Sequence, residues 1–202
     1  MKPSAWFERH LPPSHCQNGN QAWLMDWACG QGRHSLLALE RGWHVLAIDR
    51  NEHALEALRE AAESLQRSEH LRCLQLDLES DALPSRLSQA LAELGLQAVA
   101  AIVVSNYLYR LHWKWMLASL RPGGHLLYET FARGHERFGR PTRGAFLLQP
   151  GELLARAQQS HLAVLAFEDV LERNPAGEAT ARIQRIVARK PELAARADPW
   201  LS

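Results

Sequence analysis

The sequence predicts a three-layer α/β fold, with helices on both faces of a mostly parallel, seven-stranded sheet that a C-terminal antiparallel hairpin closes. Three observations support this prediction. Apolar runs alternate along the chain with segments of helical spacing, as in parallel sheets whose strands are joined by helices. The run at 99–104 is continuously apolar, which is typical of a central parallel strand buried on both faces. The last two runs are joined by the short segment 174–178, which suits a hairpin.

The individual elements follow from this periodicity and from turn residues. Ser4 caps a short first helix that ends before Pro12 and Pro13, and a polar loop follows at 14–21. A turn at 121–124 precedes the fifth strand. The predicted strands are 23–26, 43–49, 71–76, 99–104, 125–130, 162 to about 171, and 181–188. The predicted helices are 4–10, 33–41, 51–65, 84–94, 111–120 and one that begins at 150–152.

The segment 131–149 matches neither the helical nor the strand period. It is rich in glycine and contains four arginines against a single acid, Glu136. Loops of this length inside compact domains are usually functional or disordered. We therefore interpret this segment as a lid or wall over a ligand site, with Arg140 as the residue that meets an anionic ligand.

Length and charge limit the possible functions. The chain of 202 residues suits a single domain, with 1–21 as an N-terminal helix and loop, 22–190 as the core and 191–202 as a tail. Its formal net charge of +1 disfavours a general nucleic-acid-binding surface. The arginines of 131–149 could still contact phosphates, so RNA is not excluded as a partner. No membrane span and no secretory signal is visible. The sequence makes no prediction about oligomeric state.

The cysteines indicate a cytoplasmic protein. The chain has an odd number of cysteines, and none of them has CxxC spacing. The sequence therefore predicts that they are reduced thiols: Cys16, Cys29 and Cys73. His10, His15 and Cys16 have no spacing typical of metal ligands. No metal site is predicted.

A glycine turn lies between the first strand and the first core helix. Gly30 and Gly32 can adopt backbone angles closed to other residues and allow a ligand close to the main chain. The helix that begins near Arg33 directs unpaired N–H groups toward this turn. The turn is therefore a candidate site for the anionic part of a ligand.

Three carboxylates, Asp26, Asp49 and Asp77, end three successive predicted strands. In an open parallel sheet these strand ends meet at one crevice, where ligands bind. Acidic residues repel a pyrophosphate but suit a ligand with a cation, a ribose diol and an adenine amine. S-adenosylmethionine has these groups, and its single carboxylate can be received by the helix N-terminus and by Arg33.

The segment 26–35 resembles the glycine motif of class I S-adenosylmethionine-dependent methyltransferases, and the resemblance covers nearly the whole chain. That superfamily has a Rossmann-like fold. Together with 129–131, 138–141 and 146–153, the motif is similar to the tellurite-resistance methyltransferase branch. Ala28 stands where the superfamily usually has its first glycine.

The resemblance implies a role for each matching residue. Asp26 would orient the ammonium group, and Asp49 would accept the ribose hydroxyls, with Arg50 beside the adenine. Asp77 would take the adenine amine, and the Leu78 N–H would bind a ring nitrogen. Asp26 and Asp77 could instead bond the backbone of their own loops. The implied cofactor-binding residues are Asp26, Ala28, Cys29, Gly30, Gly32, Arg33, Asp49, Arg50, Asp77, Leu78, Ser105 and Asn106.

The resemblance also implies methyl transfer to an acceptor bound beside Ser105 and Asn106. We expect a small-molecule acceptor, such as a thiol or a chalcogen oxyanion, and direct in-line transfer without a covalent protein intermediate. The imidazole of His135 could remove a proton from the acceptor. The candidate catalytic residues are His135, Glu129 and Tyr107, and the candidate substrate-binding residues are Arg140 and Phe131.

Two other functions fit the sequence less well. An NAD(P)-dependent oxidoreductase would also have a glycine turn followed by an acid such as Asp49, but Asp26 would crowd its pyrophosphate and Ser35 replaces its third glycine. A catalytically silent S-adenosylmethionine-binding module that serves a partner would contain the same cofactor motif.

Overall fold

The computed structural model describes residues 2–14 and 22–192. The loop at 15–21, with His15 and Cys16, and the tail from 193 lie outside the described residues. The strands are β1 (Trp23–Trp27), β2 (His44–Asp49), β3 (Leu71–Gln75), β4 (Val99–Ser105), β5 (Leu120–Phe131), β6 (Ala163–Arg173) and β7 (Ala179–Arg189).

These strands form one seven-stranded sheet in the order β3-β2-β1-β4-β5-β7-β6. β1 pairs in parallel with β2 on one side and β4 on the other, and β3 and β5 extend the parallel part. β7 is antiparallel to both β5 and β6. The predicted fold is therefore confirmed: a mostly parallel sheet closed by an antiparallel C-terminal hairpin.

The helices cover both faces of the sheet because successive residues of a buried strand point to opposite sides. In β4, Ile102 and Val104 join one core cluster, while Ala101 and Val103 join the other. The first cluster includes buried residues of the helices at 83–93, 113–118 and 152–159, and the second includes those of the helices at 5–10, 33–40 and 52–64. The helices are α1 (Ala5–His10), α2 (Arg33–Glu40), α3 (Glu52–Ser64), α4 (Leu83–Glu93), α5 (Trp113–Ala118) and α6 (Glu152–Gln159).

β5 begins earlier than the sequence predicts. Val99 of β4 pairs with Leu120, and the next partners are Ala101 and His125, so the expected turn at 121–124 is a bulge inside the strand. Gly124 permits the bulge, since an added Cβ would lie 2.8 Å from the carbonyl oxygen of Arg121. A bulge leaves residues unpaired without ending the strand.

The segment 131–149 has little regular structure, as its lack of period indicates. It contains the 3₁₀ turns His135–Arg137 and Gly144–Phe146 and a bridge between Ala132 and Leu148. It follows β5 directly, so it extends from the carboxyl edge of the parallel strands. Across residues 2–14 and 22–192, no helix has the length and apolar character needed to cross a membrane.

Candidate active site

Four neighbouring cavities lie along the carboxyl ends of the strands. The strand-end cavity, of about 190 Å³, lies at the ends of β2 and β3. It contains Asp49 and Asp77 and is closed on one side by Tyr107. Its full lining is Ala28, Asp49, Arg50, Leu76, Asp77, Leu78, Glu79 and Tyr107.

Asp49 is held in place by the backbone at both carboxylate oxygens. Oδ2 accepts a hydrogen bond from the Gly30 N–H at 2.8 Å, and Oδ1 accepts one from the Asn51 N–H at 2.9 Å. Each ionised oxygen can accept a second bond. Asp49 is thus oriented and still able to receive a diol.

The glycine turn carries three left-handed residues. Ala28, Gly30 and Gly32 have φ values of 59°, 55° and 73°. A Cβ on Gly32 would lie 2.4 Å from Leu58 of α3, whereas a Cβ on Gly30 would meet no atom within 4 Å. Gly32 therefore serves the packing of α2 against α3, and Gly30 faces open space where a ligand can approach.

The glycine-turn cavity, of about 260 Å³, lies on the other side of Ala28. Asp26 is 1 % exposed here and accepts a hydrogen bond from Ser35 Oγ at 2.6 Å. Burial raises the pKa of Asp26 to about 6. Arg33 donates to Ser105 Oγ at 2.9 Å. The lining residues are Asp26, Ala28, Cys29, Gly30, Gln31, Arg33, His34, Ser105 and Asn106.

His34 and Cys29 contribute neutral groups to this cavity. His34 Nε2 accepts a hydrogen bond from the Ser4 N–H at 3.2 Å, and burial lowers the pKa of His34 to about 3. Burial, together with the charges of Asp26 and Asp49, raises the pKa of the Cys29 thiol. The Cys29 thiol is therefore protonated and poorly suited to act as a nucleophile.

The donor set of these two cavities fits S-adenosylmethionine. Asp49 can receive a diol, Asp77 an amine, Asp26 an ammonium and Arg33 a carboxylate. Ala28 lines both cavities, so one elongated ligand can span them. Eleven of the implied cofactor residues line the two cavities, and the structure brings Gly32 to the base of the turn instead.

Asn106 lies where the glycine-turn cavity meets two further cavities. Its backbone is left-handed, with a φ of 55°, a conformation that asparagine tolerates better than most residues. Its N–H donates to the carbonyl oxygen of Glu129 at 2.9 Å. The end of β4 is thereby fixed against β5.

The largest of the four cavities, called the arginine cavity, has a volume of about 660 Å³. The segment 131–149 forms one wall of this cavity, and Asn106 and Thr130, at the carboxyl ends of β4 and β5, also line it. Tyr107 separates it from the strand-end cavity. Its lining residues are Glu79, Asn106, Tyr107, Leu108, Thr130, Arg140, Pro141, Thr142, Arg143 and Phe146.

The fourth cavity, called the Glu129 cavity, has a volume of about 360 Å³ and lies under α1. Glu129 is 7 % exposed and accepts hydrogen bonds from Ser4 Oγ at 3.0 Å and from Arg185 Nη1 at 3.5 Å. Burial raises the pKa of Glu129, although Ser4 and Arg185 oppose the change. The lining residues are Ser4, Ala5, Arg33, Asn106, Glu129, Phe131, Glu172, Ala181, Ile183 and Arg185.

The structure separates the acceptor-site candidates that the sequence grouped together. Tyr107 and Arg140 line the arginine cavity, whereas Glu129 and Phe131 line the Glu129 cavity. Among the described residues Tyr107 Oη has no hydrogen-bond partner, and burial raises its pKa, so the phenol remains protonated. Asn106 borders both cavities.

His135 lines none of these four cavities. Its ring is 4 % exposed and stacks on Phe131 at a centroid distance of 4.0 Å. Nδ1 faces the Arg182 N–H at 3.4 Å, and Nε2 lies 3.0 Å from the carbonyl oxygen of Arg140. A neutral ring protonated on Nε2 satisfies both contacts. Both ring nitrogens are thus engaged by the backbone.

Sequence reasoning missed two residues that shape the site. Ser4 links α1 to both His34 and Glu129, which lies 125 positions away. Arg110 binds Glu152, 42 positions away, and also the wall of the arginine cavity. In the sequence, Ser4 can be recognised only as a helix cap, and no local pattern indicates the role of Arg110.

Comparison with known proteins supports the resemblance found in the sequence. The model of a family described as "Methyltransferase domain" matches residues 24–124, which is half of the chain. No curated protein matches the sequence significantly.

Solved structures share the fold at low sequence identity. TehB from Haemophilus influenzae is 20 % identical with a TM-score of 0.58, and the match covers 83 % of this chain and 57 % of TehB. The [4+2]-cyclase SpnF is 18 % identical with a TM-score of 0.66, covering 93 % and 78 %. The geranyl diphosphate C-methyltransferase from Streptomyces coelicolor A3(2) is 16 % identical with a TM-score of 0.63, covering 92 % and 77 %.

The chain spans 57 % of the length of TehB, so TehB supports the fold and not a shared acceptor. The family match begins in β1, includes the glycine turn and ends in β5, so it contains the strand ends that line the strand-end and glycine-turn cavities. The chain therefore belongs to the methyltransferase domain family.

Proposed function

We propose that the protein transfers a methyl group to a small-molecule acceptor by direct in-line displacement, without a covalent protein intermediate. The observation that carries this proposal is the position of Asn106. It borders the glycine-turn cavity and both cavities beyond it, so a donor and an acceptor can meet there. When bound, S-adenosylmethionine supplies a methyl group that its sulfonium already activates.

The proposed binding mode follows the polarity of the two cofactor-binding cavities. Asp49 holds the ribose hydroxyls, and Asp77 with the Leu78 N–H recognises the adenine. Asp26 and Arg33 hold the amino-acid end, with Ser105 fixing the Arg33 guanidinium at 2.9 Å. Carboxylates placed against hydroxyls and an ammonium form strong, charge-assisted hydrogen bonds.

Alignment of donor and acceptor is the main catalytic contribution in this proposal. With S-adenosylmethionine bound, the residues around Asn106 would hold an acceptor lone pair in line with the methyl carbon, and the electron pair of the broken carbon–sulfur bond would stay on sulfur. Holding two reactants in such a geometry can contribute about 7–11 kcal/mol. The buried and protonated Cys29 thiol agrees with direct transfer, since it is a poor nucleophile.

Glu129 is the group that we propose takes a proton from an acceptor that carries one. It is buried next to Asn106, and its raised pKa makes it a stronger base than an exposed carboxylate. Tyr107, as a neutral phenol, would donate a hydrogen bond. His135 acts in this proposal as a positioning residue, because its Nε2 contacts the backbone carbonyl of Arg140.

We place the reaction in the cytoplasm and propose no macromolecular acceptor. Cys29 and Cys73 are free cysteines, which suits a reducing compartment. A thiol or a chalcogen oxyanion, as the similarity to the tellurite-resistance branch implies, would be a small enough acceptor for any of these cavities.

Calorimetry with S-adenosylmethionine and S-adenosylhomocysteine tests the binding mode. Asp49→Ala should weaken both ligands by about tenfold to a hundredfold, because it removes hydrogen bonds to a charged acceptor. Asp81→Ala, an exposed carboxylate outside the four cavities, is the matched control and should bind like the parent. Equal affinities for both variants would remove Asp49 from the site, and tight binding of NAD would contradict the proposal.

A further inference from the structure

We infer that the arginine cavity binds an organic acceptor with an anionic group on a flat apolar body, and that Arg140 and Arg143 hold the anionic group. This inference rests on the proposed function, since it takes Asn106 as the reacting end. It names the chemical class of the acceptor and the part of the cavity that recognises each half of it.

The charges of the cavity wall favour an anion. In the part of the chain that the structure describes, no carboxylate pairs with Arg140 or Arg143, whereas the structural arginines Arg110, Arg182 and Arg185 all have carboxylate partners. Glu136, the single acid of the segment, accepts the Gly134 N–H at 2.8 Å and does not line the cavity. Two guanidinium groups are therefore available to a ligand at the cavity wall.

The one carboxylate in the lining lies toward the cofactor side. Glu79 lines both the arginine cavity and the strand-end cavity, whereas Arg140 and Arg143 line the arginine cavity alone. Positive charge is thus concentrated at the wall formed by the segment 131–149. Guanidinium groups bind carboxylates and phosphates with paired hydrogen bonds, so both chemistries fit this wall.

The size of the cavity argues against an inorganic oxyanion. Its volume of about 660 Å³ lies within the range of roughly 300–1,000 Å³ typical of sites for organic ligands. An oxyanion of four heavy atoms would fill only a small part of it. It would also leave the apolar walls Tyr107, Leu108, Pro141 and Phe146 without a partner.

Phe146 supports an apolar or aromatic ligand body. Its side chain is 43 % exposed although it lines the cavity, which is unusual for a phenylalanine with a packing role. Tyr107 lines both this cavity and the strand-end cavity, so its ring lies on the cofactor side. A flat ligand in contact with both rings would bury aromatic surface.

The side of the cavity nearest the cofactor sets the orientation of the acceptor. Asn106 also lines the glycine-turn cavity, whereas Arg140 and Arg143 line the arginine cavity alone. The anionic group therefore lies at the wall formed by 131–149, and the reacting atom lies beside Asn106. The atom that receives the methyl group is consequently separate from the anion.

The wall is held in place before a ligand arrives. Arg110 donates to the carbonyl oxygens of Ala145 at 2.6 Å and Leu147 at 2.9 Å, on either side of Phe146. His135 holds the carbonyl of Arg140. A preorganised wall loses less freedom on binding and favours affinity for a rigid ligand.

The test uses 2-naphthoate as an anionic probe, 2-naphthamide as its neutral counterpart and selenite as an inorganic oxyanion, each titrated with and without S-adenosylhomocysteine. We expect the protein to bind 2-naphthoate at least about tenfold more tightly than 2-naphthamide or selenite. Arg140→Gln and Arg143→Gln should each weaken 2-naphthoate binding by about tenfold while leaving the 2-naphthamide affinity unchanged.

Arg137→Gln is the matched control, because Arg137 is an exposed arginine of the same segment that does not line the cavity. Equal binding of 2-naphthoate and 2-naphthamide, or no effect of Arg140→Gln and Arg143→Gln beyond that of Arg137→Gln, would overturn the inference. Preferred binding of selenite would do the same. S-adenosylhomocysteine binding with no 2-naphthoate binding would refute this inference alone, whereas failure of S-adenosylhomocysteine to bind would refute the proposed function.

Discussion

Single residues of the glycine turn adopt the same left-handed backbone for different reasons. At Gly30 the conformation leaves open space beside the main chain, which suits a ligand. At Gly32 the hydrogen in place of a Cβ allows Leu58 of α3 to pack against the turn. Ala28 accepts the strained conformation despite its Cβ, at a cost of about 1–2 kcal/mol. The turn therefore combines a packing requirement with a binding requirement.

A matched pair of alanine variants separates these two requirements. Gly30→Ala should lower the free energy of unfolding by about 1–2 kcal/mol, the cost of a left-handed alanine. Gly32→Ala should lower it by about 2–4 kcal/mol, because overpacking against the buried Leu58 is added to the backbone strain. Urea denaturation of both variants without ligand measures the difference. Equal losses would show that Leu58 moves aside at little cost.

At the scale of elements, one arginine connects three parts of the site. Arg110 lies after β4 and binds Glu152 at the start of α6 through Nε at 2.7 Å and Nη2 at 2.8 Å. The same side chain bonds two carbonyls of the segment 131–149. Although burial opposes it, hydrogen bonds from Arg110, Arg156 and the Gln149 N–H lower the pKa of Glu152 to about 2. The wall of the arginine cavity is therefore anchored to the sheet.

Removing this anchor should loosen the wall without unfolding the sheet. Arg110→Ala is expected to increase amide hydrogen exchange in 144–149, because those carbonyls and Glu152 lose their partner. The free energy of unfolding should fall by about 1–3 kcal/mol. Exchange in β4 should stay as in the parent.

Lys114→Ala, an exposed cation on α5, serves as the control for this measurement. Unchanged protection at 144–149 in Arg110→Ala would mean that the bridge between Ala132 and Leu148 holds the wall by itself.

For the whole molecule, burial of ionisable groups couples stability to pH. His34 is buried between α1 and α2 and stays neutral, because burial lowers its pKa from 6.5 to about 3. Its contribution to stability is complete above pH 6.5 and is lost as the pH falls toward 3. Asp26 acts in the opposite sense, since its pKa is raised to about 6 and its ionisation costs stability as the pH rises from 3.8.

His34→Gln isolates the histidine contribution, since parent and variant share Asp26. At pH 7 the variant should be less stable than the parent because the contact with the Ser4 N–H is altered. Between pH 7 and pH 4, the difference in the free energy of unfolding between the two proteins should shift by about 3 kcal/mol in favour of the variant. Only the parent must keep a buried imidazole neutral at pH 4. Denaturant unfolding at the two pH values measures the shift. A stability difference between parent and variant that does not change with pH would show that His34 titrates normally.

The architecture of the molecule could be predicted from the sequence alone because it depends on local patterns. The continuous apolar run in β4 predicts a strand buried on both faces, and the structure places helices on both sides of it. Asp26, Asp49 and Asp77 end three adjacent parallel strands, so topology alone brings them together. The proposed cofactor class also follows from these features, because acidic strand ends favour a ligand with a cation, a ribose diol and an amine.

The positions of the residues proposed to bind the acceptor, beyond Asn106, were decided only by the tertiary structure. The sequence grouped Glu129, Tyr107, Arg140 and His135 as one site, but the structure distributes them over two cavities and a buried contact. The segment 131–149 has no periodicity from which side-chain directions can be predicted. Its shape is set by contacts with residues distant in the sequence, above all Arg110. Periodicity determines which face of a strand or helix is buried, whereas the walls of the acceptor cavities form only when distant segments pack together.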